Sequence, residues 1–543
     1  TAMFDGRGRG SRRTARFVLG LLIACGCSRK QNANAAEELL PAAPVAAVIT
    51  APLAGVAQHL SELFARAAQI PGGEQLEANR RIAAAQLGFD PLSKDGLSSA
   101  GLDPDKGAAL ALTTSDRPPA WVAAVPVSNQ DAFAKTLDRL RERAGLTDRA
   151  EETRNGTRIV TFSRPGVAGR IAHGFVRGYA VVARGADPAA EVAGAAGRKT
   201  EQSLSAAERL RSAREDIGPQ DLTVLAAEGT LAFRGAAART LPGALPGETA
   251  IGITGTAAGV SAKVAYRARD DEVAKIRATL PGGAGALAAL LPADAPVRMR
   301  LGLQPAEVLQ QARRIPEIAQ AMDALRAGGA DPLRDIAPAL APGAAVAIGL
   351  SPTANLAALV DYGILDWRTR SPFESLQLVA VAPVADEARL AAALESLAKA
   401  LPKAGAQVQR IADGWQVRYP GGEGPRFGIA TVSGKKVAWL AGGFGTREVG
   451  GILSQAKDPS SVPPVLSQDP GAAVRIDLGA LAARVRSLPD STYGRGPQAY
   501  VARSLVGQII EPLSTLRVTA AAAPTDRGLR AEIDLAIAPA GQR

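Results

Sequence analysis

The strongest constraint on the fold is that the second half of the chain repeats short motifs of the first half in the same order. The motifs at residues 39–45, 90–92, 106–112, 122–127, 155–156, 177–181 and 259–264 return at 290–297, 331–333, 342–348, 379–384, 413–414, 433–437 and 528–533. The spacing between partners changes from match to match, which is what insertions in loops produce. Self-similarity of this kind indicates a repeated supersecondary unit. The sequence therefore predicts two tandem copies of one module, residues 39–283 and 284–543, joined at the turn-forming stretch Pro281–Gly285.

Each copy mixes runs of strand length with helical patterns. In the first copy, apolar runs of strand length lie at 45–50, 121–127, 158–162 and 179–183. An apolar face with helical periodicity runs from Leu53 to Ala67, and Ser128 with Asp131 predicts the cap of another helix. This order of elements predicts an α+β fold, with a mostly antiparallel sheet and packed helices in each of the two tandem copies.

Two dipeptides predict tight hairpin turns. Asn155-Gly156 and Asp413-Gly414 suit type I′ turns, because both central residues of such a turn need a positive φ. Gly178 and Gly434 lie where a second hairpin of each copy would turn.

Residues 1–24 predict a lipoprotein signal peptide. A basic region, Arg7–Arg16, leads into the apolar run Phe17–Ala24. That run is too short for a membrane-spanning helix, which needs about 20 residues. The stretch Ser28–Glu38 is polar and lacks apolar periodicity, so residues 25–38 are expected to form a flexible tether.

The residues Leu22-Ile23-Ala24-Cys25 resemble the bacterial lipobox, in which a small residue precedes the cysteine. The resemblance implies cleavage before Cys25 and attachment of a diacylglycerol to its thiol. Ala24-Cys25-Gly26-Cys27 is a second, poorer match, so Cys27 is the alternative acceptor. Anchoring with two or three acyl chains is stable where one chain is not. The chain is thus expected at the bacterial cell envelope, with the membrane as its partner through the anchor and its body in the periplasm or at the cell surface.

Charge and composition argue against a nucleic-acid partner. The formal net charge is +11, but arginines alternate with acidic residues, as in 139–143 and 209–215, instead of clustering on one element. Aromatic residues make up only 4% of the chain, which leaves few rings for stacking bases. The two cysteines, Cys25 and Cys27, both lie near the predicted cleavage site without nearby ligands, so the body has no thiolate nucleophile and no cysteine-based metal site.

No residue pattern predicts a catalytic, cofactor-binding or metal site. The two histidines, His59 in a helix and His173 in a strand, lack the spacing of a zinc hydrolase and the serine elbow that would complete a triad. Gly194–Thr200 is faintly like a phosphate loop but fits a basic helix end better. Ser433 and Lys436 have Ser-x-x-Lys spacing, yet they flank a predicted turn.

The tryptophans are predicted to be core residues, with one exception. Trp121, Trp415 and Trp439 lie in or beside strand-length runs. Trp367 differs because Asp361–Arg370 is predicted to be an exposed insertion, and exposed loops on rigid scaffolds often carry binding contacts.

The opening Leu291–Val297 of the second copy, followed by Asp331-Pro332, resembles a family of secreted or lipid-anchored bacterial proteins of unknown function that share a leucine-proline-alanine-aspartate opening. The first copy departs from this pattern, with Ala43 in place of the aspartate. The resemblance implies an envelope location and no known activity. We expect a non-enzymatic binding or scaffolding role without a cofactor, with an envelope protein or an apolar ligand as partner. The alternative is a divergent periplasmic hydrolase that uses a carboxylate pair.

Cys25 is predicted to be the lipidated residue. Replacing it (Cys25→Ser) removes the thiol that accepts the diacylglycerol, so unprocessed precursor is expected to accumulate. Mass spectrometry of the intact protein checks this, with Cys27→Ser as the matched control that should still be processed. Finding the acyl group on Cys27, or an unmodified Cys25 thiol in the mature protein, would contradict the prediction.

Overall fold

The computed structural model describes residues 35–538 apart from the internal segments 71–72, 116–118, 165–169, 228–246, 257, 315, 353, 355–371, 420–421, 446, 454–461, 468–470 and 494–495. These residues fall into two compact units, divided between Arg269 and Asp270. The predicted signal peptide, Cys25, Cys27, the tether up to residue 34 and Trp367 in its predicted insertion lie outside the described residues.

The first unit contains both strands and helices, in several short groups of each. Its elements are α1 (Ala35–Glu38), β1 (Ala46–Thr50), α2 (Leu53–Ala67), α3 (Glu74–Leu87), α4 (Lys94–Ser99), β2 (Ala109–Thr114), β3 (Ala120–Pro126), α5 (Gln130–Ala144), β4 (Asp148–Arg154), β5 (Thr157–Ser163), β6 (Arg170–Val176), β7 (Tyr179–Gly185), α6 (Pro188–Gly197), α7 (Glu208–Ile217), β8 (Leu222–Ala226), β9 (Glu248–Thr256) and β10 (Gly259–Arg267).

The strands of the first unit form one antiparallel sheet in the order β4-β5-β6-β7-β3-β2-β1-β8-β9-β10. Alternate residues of the central strands enter cores on opposite faces, as the period of two along a strand requires. Val122 of β3 packs with residues of α6 and α7, whereas Val125 packs with residues of α2, α4 and α5. Helices therefore cover both faces of the sheet.

The second unit also contains strands and helices in short groups. Its elements are α8 (Asp270–Thr279), β11 (Val297–Leu301), α9 (Pro305–Ala312), α10 (Pro316–Ala327), β12 (Ala344–Leu350), β13 (Leu376–Pro383), α11 (Glu387–Ala400), β14 (Gln407–Ile411), β15 (Gly414–Tyr419), β16 (Gly422–Val432), β17 (Lys435–Gly442), α12 (Val449–Leu453), α13 (Pro464–Ser467), β18 (Ala472–Asp477), α14 (Leu478–Arg486), α15 (Pro497–Leu513), β19 (Leu516–Thr525) and β20 (Gly528–Ile537).

The sheet of the second unit has the order β14-β15-β16-β17-β13-β12-β11-β18-β19-β20, again antiparallel throughout. One face packs against the 3₁₀ segment Gly285–Leu290 and α12, and the other packs against α11. Strand for strand, this is the order found in the first unit. The predicted α+β class with a mostly antiparallel sheet is confirmed.

The positive-φ turns follow from residue type at three hairpins. Asn155 and Gly156 have φ values of 50° and 74° between β4 and β5, as a type I′ turn requires. Gly178 and Gly434, with φ values of 80° and 75°, turn the hairpins β6–β7 and β16–β17. At Asp413-Gly414 the predicted turn is wrong by one residue: Ile411 pairs with Gly414, so Gly414 already begins β15.

The predicted cap of α5 is also wrong by one residue. Asn129, not Ser128, is the N-cap, and its side chain accepts a hydrogen bond from the Ala132 N–H at 3.1 Å. The Ser128 hydroxyl does not cap the helix, because it donates a hydrogen bond to the carbonyl of Leu102 at 2.8 Å.

The first unit begins inside the range predicted as a tether. Residues Ala35–Glu38 form the short helix α1, and Glu37 is buried within the first unit. Arg214 of α7 donates to both carboxylate oxygens of Glu37, with an Nη1–Oε2 distance of 3.1 Å. Arg209 reinforces this attachment by donating to the carbonyl of Pro44 at 3.2 Å. Burial raises the pKa of Glu37, opposed by the charge of Arg214.

Removal of Arg214 is expected to loosen this N-terminal attachment. Arg214→Met leaves a buried carboxylate without its cation, a change that costs on the order of 3 kcal/mol. The measurements are the urea midpoint and the hydrogen exchange of a peptide covering residues 35–50. Arg211→Met on the same helix is the control, because its partner Glu208 is exposed and such pairs contribute less than about 1 kcal/mol. Equal effects of the two variants would contradict this account.

Candidate functional site

A cavity of about 330 Å³ lies in the second unit, where β12 ends and β13 begins. Its walls come from the loop before β11, the end of β12, the start of β13, the turn after β17 and helix α14. The lining residues are Pro292, Asp294, Ala295, Pro296, Ala347, Gly349, Leu350, Pro352, Gln377, Phe444, Arg447 and Arg484. The lining mixes polar and apolar groups, a combination also found in small-molecule sites, and the volume is at the lower end of the range of such sites.

Helix α14 brings Arg484 to the cavity, and its position follows from the cap of that helix. Asp477 is the N-cap, and its carboxylate accepts a hydrogen bond from the Ala480 N–H at 3.0 Å. Arg475 and Arg517 also bind this carboxylate, at 3.2 and 3.0 Å. At the other end of the helix, Arg484 donates from Nε to the carbonyl of Leu350 at 3.1 Å. The guanidinium is thereby tied to the last residue of β12.

The acidic and basic groups around the cavity differ in whether they have a partner of opposite charge. Burial alone would raise the pKa of Asp477, but the hydrogen bond from Ala480 and the charges of Arg517 and Arg475 bring that pKa below its usual range. Asp477 is therefore already neutralised by its own partners. Within the described part of the chain, no carboxylate forms an ion pair with Arg447 or Arg484.

Buried arginines lie next to the cavity in the second unit. Arg298 and Arg300 of β11 are 5% and 2% exposed and share the sheet face of Ala347 and Ala345, their partners on β12. Burial lowers the pKa of Arg298, as does Arg475, while Asp477 and Asp294 oppose that change. Asp294 of the cavity wall thus lies within the field of a buried cation.

The same ladder positions in the first unit are apolar. Val122 on β3 and Val379 on β13 occupy matching positions in one pair of repeated motifs. Two strands across the sheet from Val122 lies Ala47, and two strands across from Val379 lies Arg298. In the same alignment, Ile49 matches Arg300. Ala47 and Ile49 are buried in the apolar core of the first unit. The second unit therefore places charge at positions where the first unit has only hydrocarbon.

His59 lies on α2 as predicted and faces a buried aspartate of the first unit. Its Nδ1 is 3.6 Å from Oδ2 of Asp221, whose carboxylate also accepts the N–H of Gly255 at 2.5 Å. A Cβ on residue 255 would come within 2.8 Å of the His59 Cβ, so glycine lets the helix approach the sheet. A carboxylate that orients an imidazole is one part of a catalytic triad. No hydroxyl of the described residues hydrogen-bonds to His59.

His173 lies on β6 as predicted and is packed between rings. It stacks on Phe162 with ring centroids 5.5 Å apart and meets the edge of Phe175 at 6.0 Å. Burial lowers its pKa to about 4, so the folded protein holds this side chain neutral at pH 7. The matching ladder position in the second unit is Phe427, which stacks on Trp415. His173 is thus a core residue, and both units have a ring-bearing side chain at this position of the sheet.

The weaker motifs have structural roles. Gly194 and Gly197 lie within α6, and Arg198 after it donates to the carbonyl of Leu39, which fits the predicted basic helix end. Ser433 has a positive φ in a hairpin turn, and Lys436 forms an ion pair with Glu387 at 2.8 Å. Trp121, Trp415 and Trp439 are at most 9% exposed, so they are core residues as predicted.

The neighbouring carboxylates of Asp331 and Asp335 are both held by arginines. Asp331 is bound by Arg326 at 2.9 Å, and Asp335 is bound by Arg334 at 2.7 Å. The hydrogen bond from Arg334 lowers the pKa of Asp335, whereas a general acid needs a raised pKa. In the described segments there is no group of three or more potential ligands that could hold a metal ion. None of the helices in those segments is long and apolar enough to cross a membrane.

The sequence motifs pointed to one wall of the cavity, formed by Pro292, Asp294, Ala295 and Pro296, but to only one of its charged or amide side chains. Asp294 belongs to the Leu-Pro-Ala-Asp motif, whereas Gln377, Arg447 and Arg484 carry no recognisable pattern. These residues are far apart in the chain, and only the sheet topology brings them to one cavity. The signal that the sequence offered for Arg484 was an arginine in the last turn of an apolar helical stretch.

Comparison with known proteins gives only distant likenesses. No protein-family model and no curated protein sequence matches the chain. Crystal form IV of TP0453 is similar with a TM-score of 0.25 and 11% identity, covering 45% of this chain and 84% of that one. Crystal form III gives a TM-score of 0.23 and 10% identity, covering 46% and 87%. Scores this low carry no argument about function, and the resemblance of Leu291–Val297 to the unnamed secreted family stays a prediction.

His173 is expected to make the first unit acid-sensitive. Its pKa in the folded state is about 4, below the ordinary 6.5, so the unfolded chain binds a proton first as the pH falls. The stability associated with the neutral ring is present above pH 6.5 and is lost between pH 6.5 and 4, by up to about 3 kcal/mol. His173→Phe removes this contribution and keeps an aromatic ring at the position. Urea unfolding should therefore show that the free energy of unfolding of His173→Phe, relative to that of wild type, is higher at pH 4.5 than at pH 7. A difference between the two proteins that does not change with pH would contradict the assignment of His173 as a buried neutral side chain.

Proposed function

We propose that this chain is a lipid-anchored bacterial envelope protein with a non-enzymatic role, and that its second unit binds a small ligand in the cavity between β12, β13 and α14. The observation that carries the proposal is the cavity itself. It joins apolar walls, such as Leu350 and Phe444, to a few polar groups that come from four separate segments of the chain. Such a combination fixes the orientation of a ligand while burying most of its surface.

The anchor is a proposal from the lipobox-like residues ending at Cys25, with Cys27 as alternative. It would keep the body at a membrane surface, in the periplasm or outside the cell. The attachment of α1 to α7 through Glu37 and Arg214 supports this arrangement, because it fixes the first unit within about ten residues of the predicted lipid.

We also infer that the two units arose as copies of one module. The shared strand order supports this, as does a turn that both units build in the same way. Asp90 accepts the N–H of Leu92 at 3.0 Å and binds Arg80, while Asp331 accepts the N–H of Leu333 at 3.1 Å and binds Arg326. On this view the second copy acquired charged and polar groups, and with them a binding role.

Filling the cavity tests the proposed function. A Cβ at Gly349 would lie 3.5 Å from Pro296 and 3.7 Å from Gln377, so the fold has room for it, and the further methyl groups of Gly349→Val would enter the cavity. The protein is isolated from its native cells with its membrane, and bound small molecules are released by denaturation and measured by mass spectrometry. A compound in near-equimolar amount is expected from wild type and not from Gly349→Val.

The control is Gly507→Val on α15, where a Cβ meets nothing within 4 Å and the cavity is not involved. This variant should retain the compound. Absence of a stoichiometric compound from wild type, or its retention in Gly349→Val, would refute the binding role assigned to this cavity.

A further inference from the structure

We infer that the ligand of this cavity is a small organic anion, with a carboxylate or phosphate group held by Arg447 and Arg484 and a compact apolar body against the opposite wall. This inference rests on the proposed function and specifies its ligand. The charged residues of the lining are Asp294, Arg447 and Arg484, so the lining carries a net charge of +1. Guanidinium groups bind carboxylates and phosphates through charge-assisted hydrogen bonds in a fixed geometry.

The two arginines are available for such a ligand. Arg484 uses its Nε for the Leu350 carbonyl, which holds the guanidinium in place while its two terminal nitrogens are not needed for that bond. Arg447 lies in the turn after β17, where it is exposed and has no acidic partner among the described residues. An anion would therefore meet one guanidinium that is already positioned and a second that can close over it.

Asp294 does not cancel this preference. The carboxylate is exposed, and it lies in the field of the buried Arg298. Its negative charge is therefore partly balanced from within the protein, and the arginines are left to the ligand. Asp294 nevertheless repels an anion, so its removal is expected to strengthen anion binding.

The volume limits the size of the ligand. A cavity of 330 Å³ corresponds to about eleven water-sized volumes, at about 30 Å³ each. Octanoate and phenyl phosphate, each with about ten non-hydrogen atoms, fit this limit. Long-chain or polycyclic anions exceed it.

Calorimetric titration of the full-length protein with four probes tests the inference. Octanoate and phenyl phosphate represent the carboxylate and the phosphate, while 1-octanol and octylamine have the same apolar body without a negative charge. At least one anion is expected to bind about tenfold or more tightly than the alcohol and the amine, as charged hydrogen bonds imply. The ratio of the two anions shows which headgroup the site prefers.

Three variants separate charge from folding. Arg447→Gln is expected to weaken anion binding about tenfold. Asp294→Asn is expected to strengthen it about threefold, a gain that a merely damaged fold would not produce. The control is Arg530→Gln, an exposed arginine of β20 outside the cavity, which should change nothing.

The outcomes distinguish this inference from the proposed function. If octanol or octylamine binds as tightly as the anions and Gly349→Val removes that binding, the cavity is a ligand site but the anionic class is wrong. If neither anion binds wild type, the inference is wrong; if Gly349→Val also leaves the bound compound unchanged, the proposed function fails with it.

Discussion

Each unit depends on the pairing of its first strand with two strands that lie far along the chain. β1 pairs with β2 and β8, so Val48 has Leu110 on one side and Val224 on the other. β11 pairs with β12 and β18 in the same way. These contacts close long loops, whose entropy must be overcome before the ladder forms. Once formed, the central strand orders the strands on both sides and exposes two faces for helices.

Because β11 is central in its sheet, the side chains that it carries determine the character of the interior of the second unit. Arg298 and Arg300 are buried where the first unit has Ala47 and Ile49. A buried guanidinium is costly unless hydrogen bonds compensate it. Arg300 has such a bond, from Nη1 to the carbonyl of Gly471 at 3.0 Å, and small alanines on β12 leave room for both side chains. The two units thus use one strand order for different interiors, an apolar one and one that tolerates charge.

The candidate site depends on a short series of interactions at the edge of this interior. Asp477 ends β18 and caps α14, and two arginines hold its carboxylate. The capped helix carries Arg484, which is fixed to the carbonyl of Leu350. Gly349 before it leaves the cavity open, because it has no side chain there. The helix cap, the ion pairs around Asp477 and the absence of a side chain at Gly349 together determine where the charge of Arg484 can contact a ligand.

Local features of the sequence determined the elements of this protein. Apolar runs of strand length predicted strands, and Asn155-Gly156 predicted its hairpin, because those residues tolerate a positive φ. Predictions failed by one residue at Ser128 and at Gly414, where a distant carbonyl or a strand partner competed with the local preference. Tertiary structure alone decided the rest. The neutral state of His173 depends on burial between Phe162 and Phe175, and the cavity joins side chains from segments more than a hundred residues apart, a proximity that leaves no trace in any local pattern.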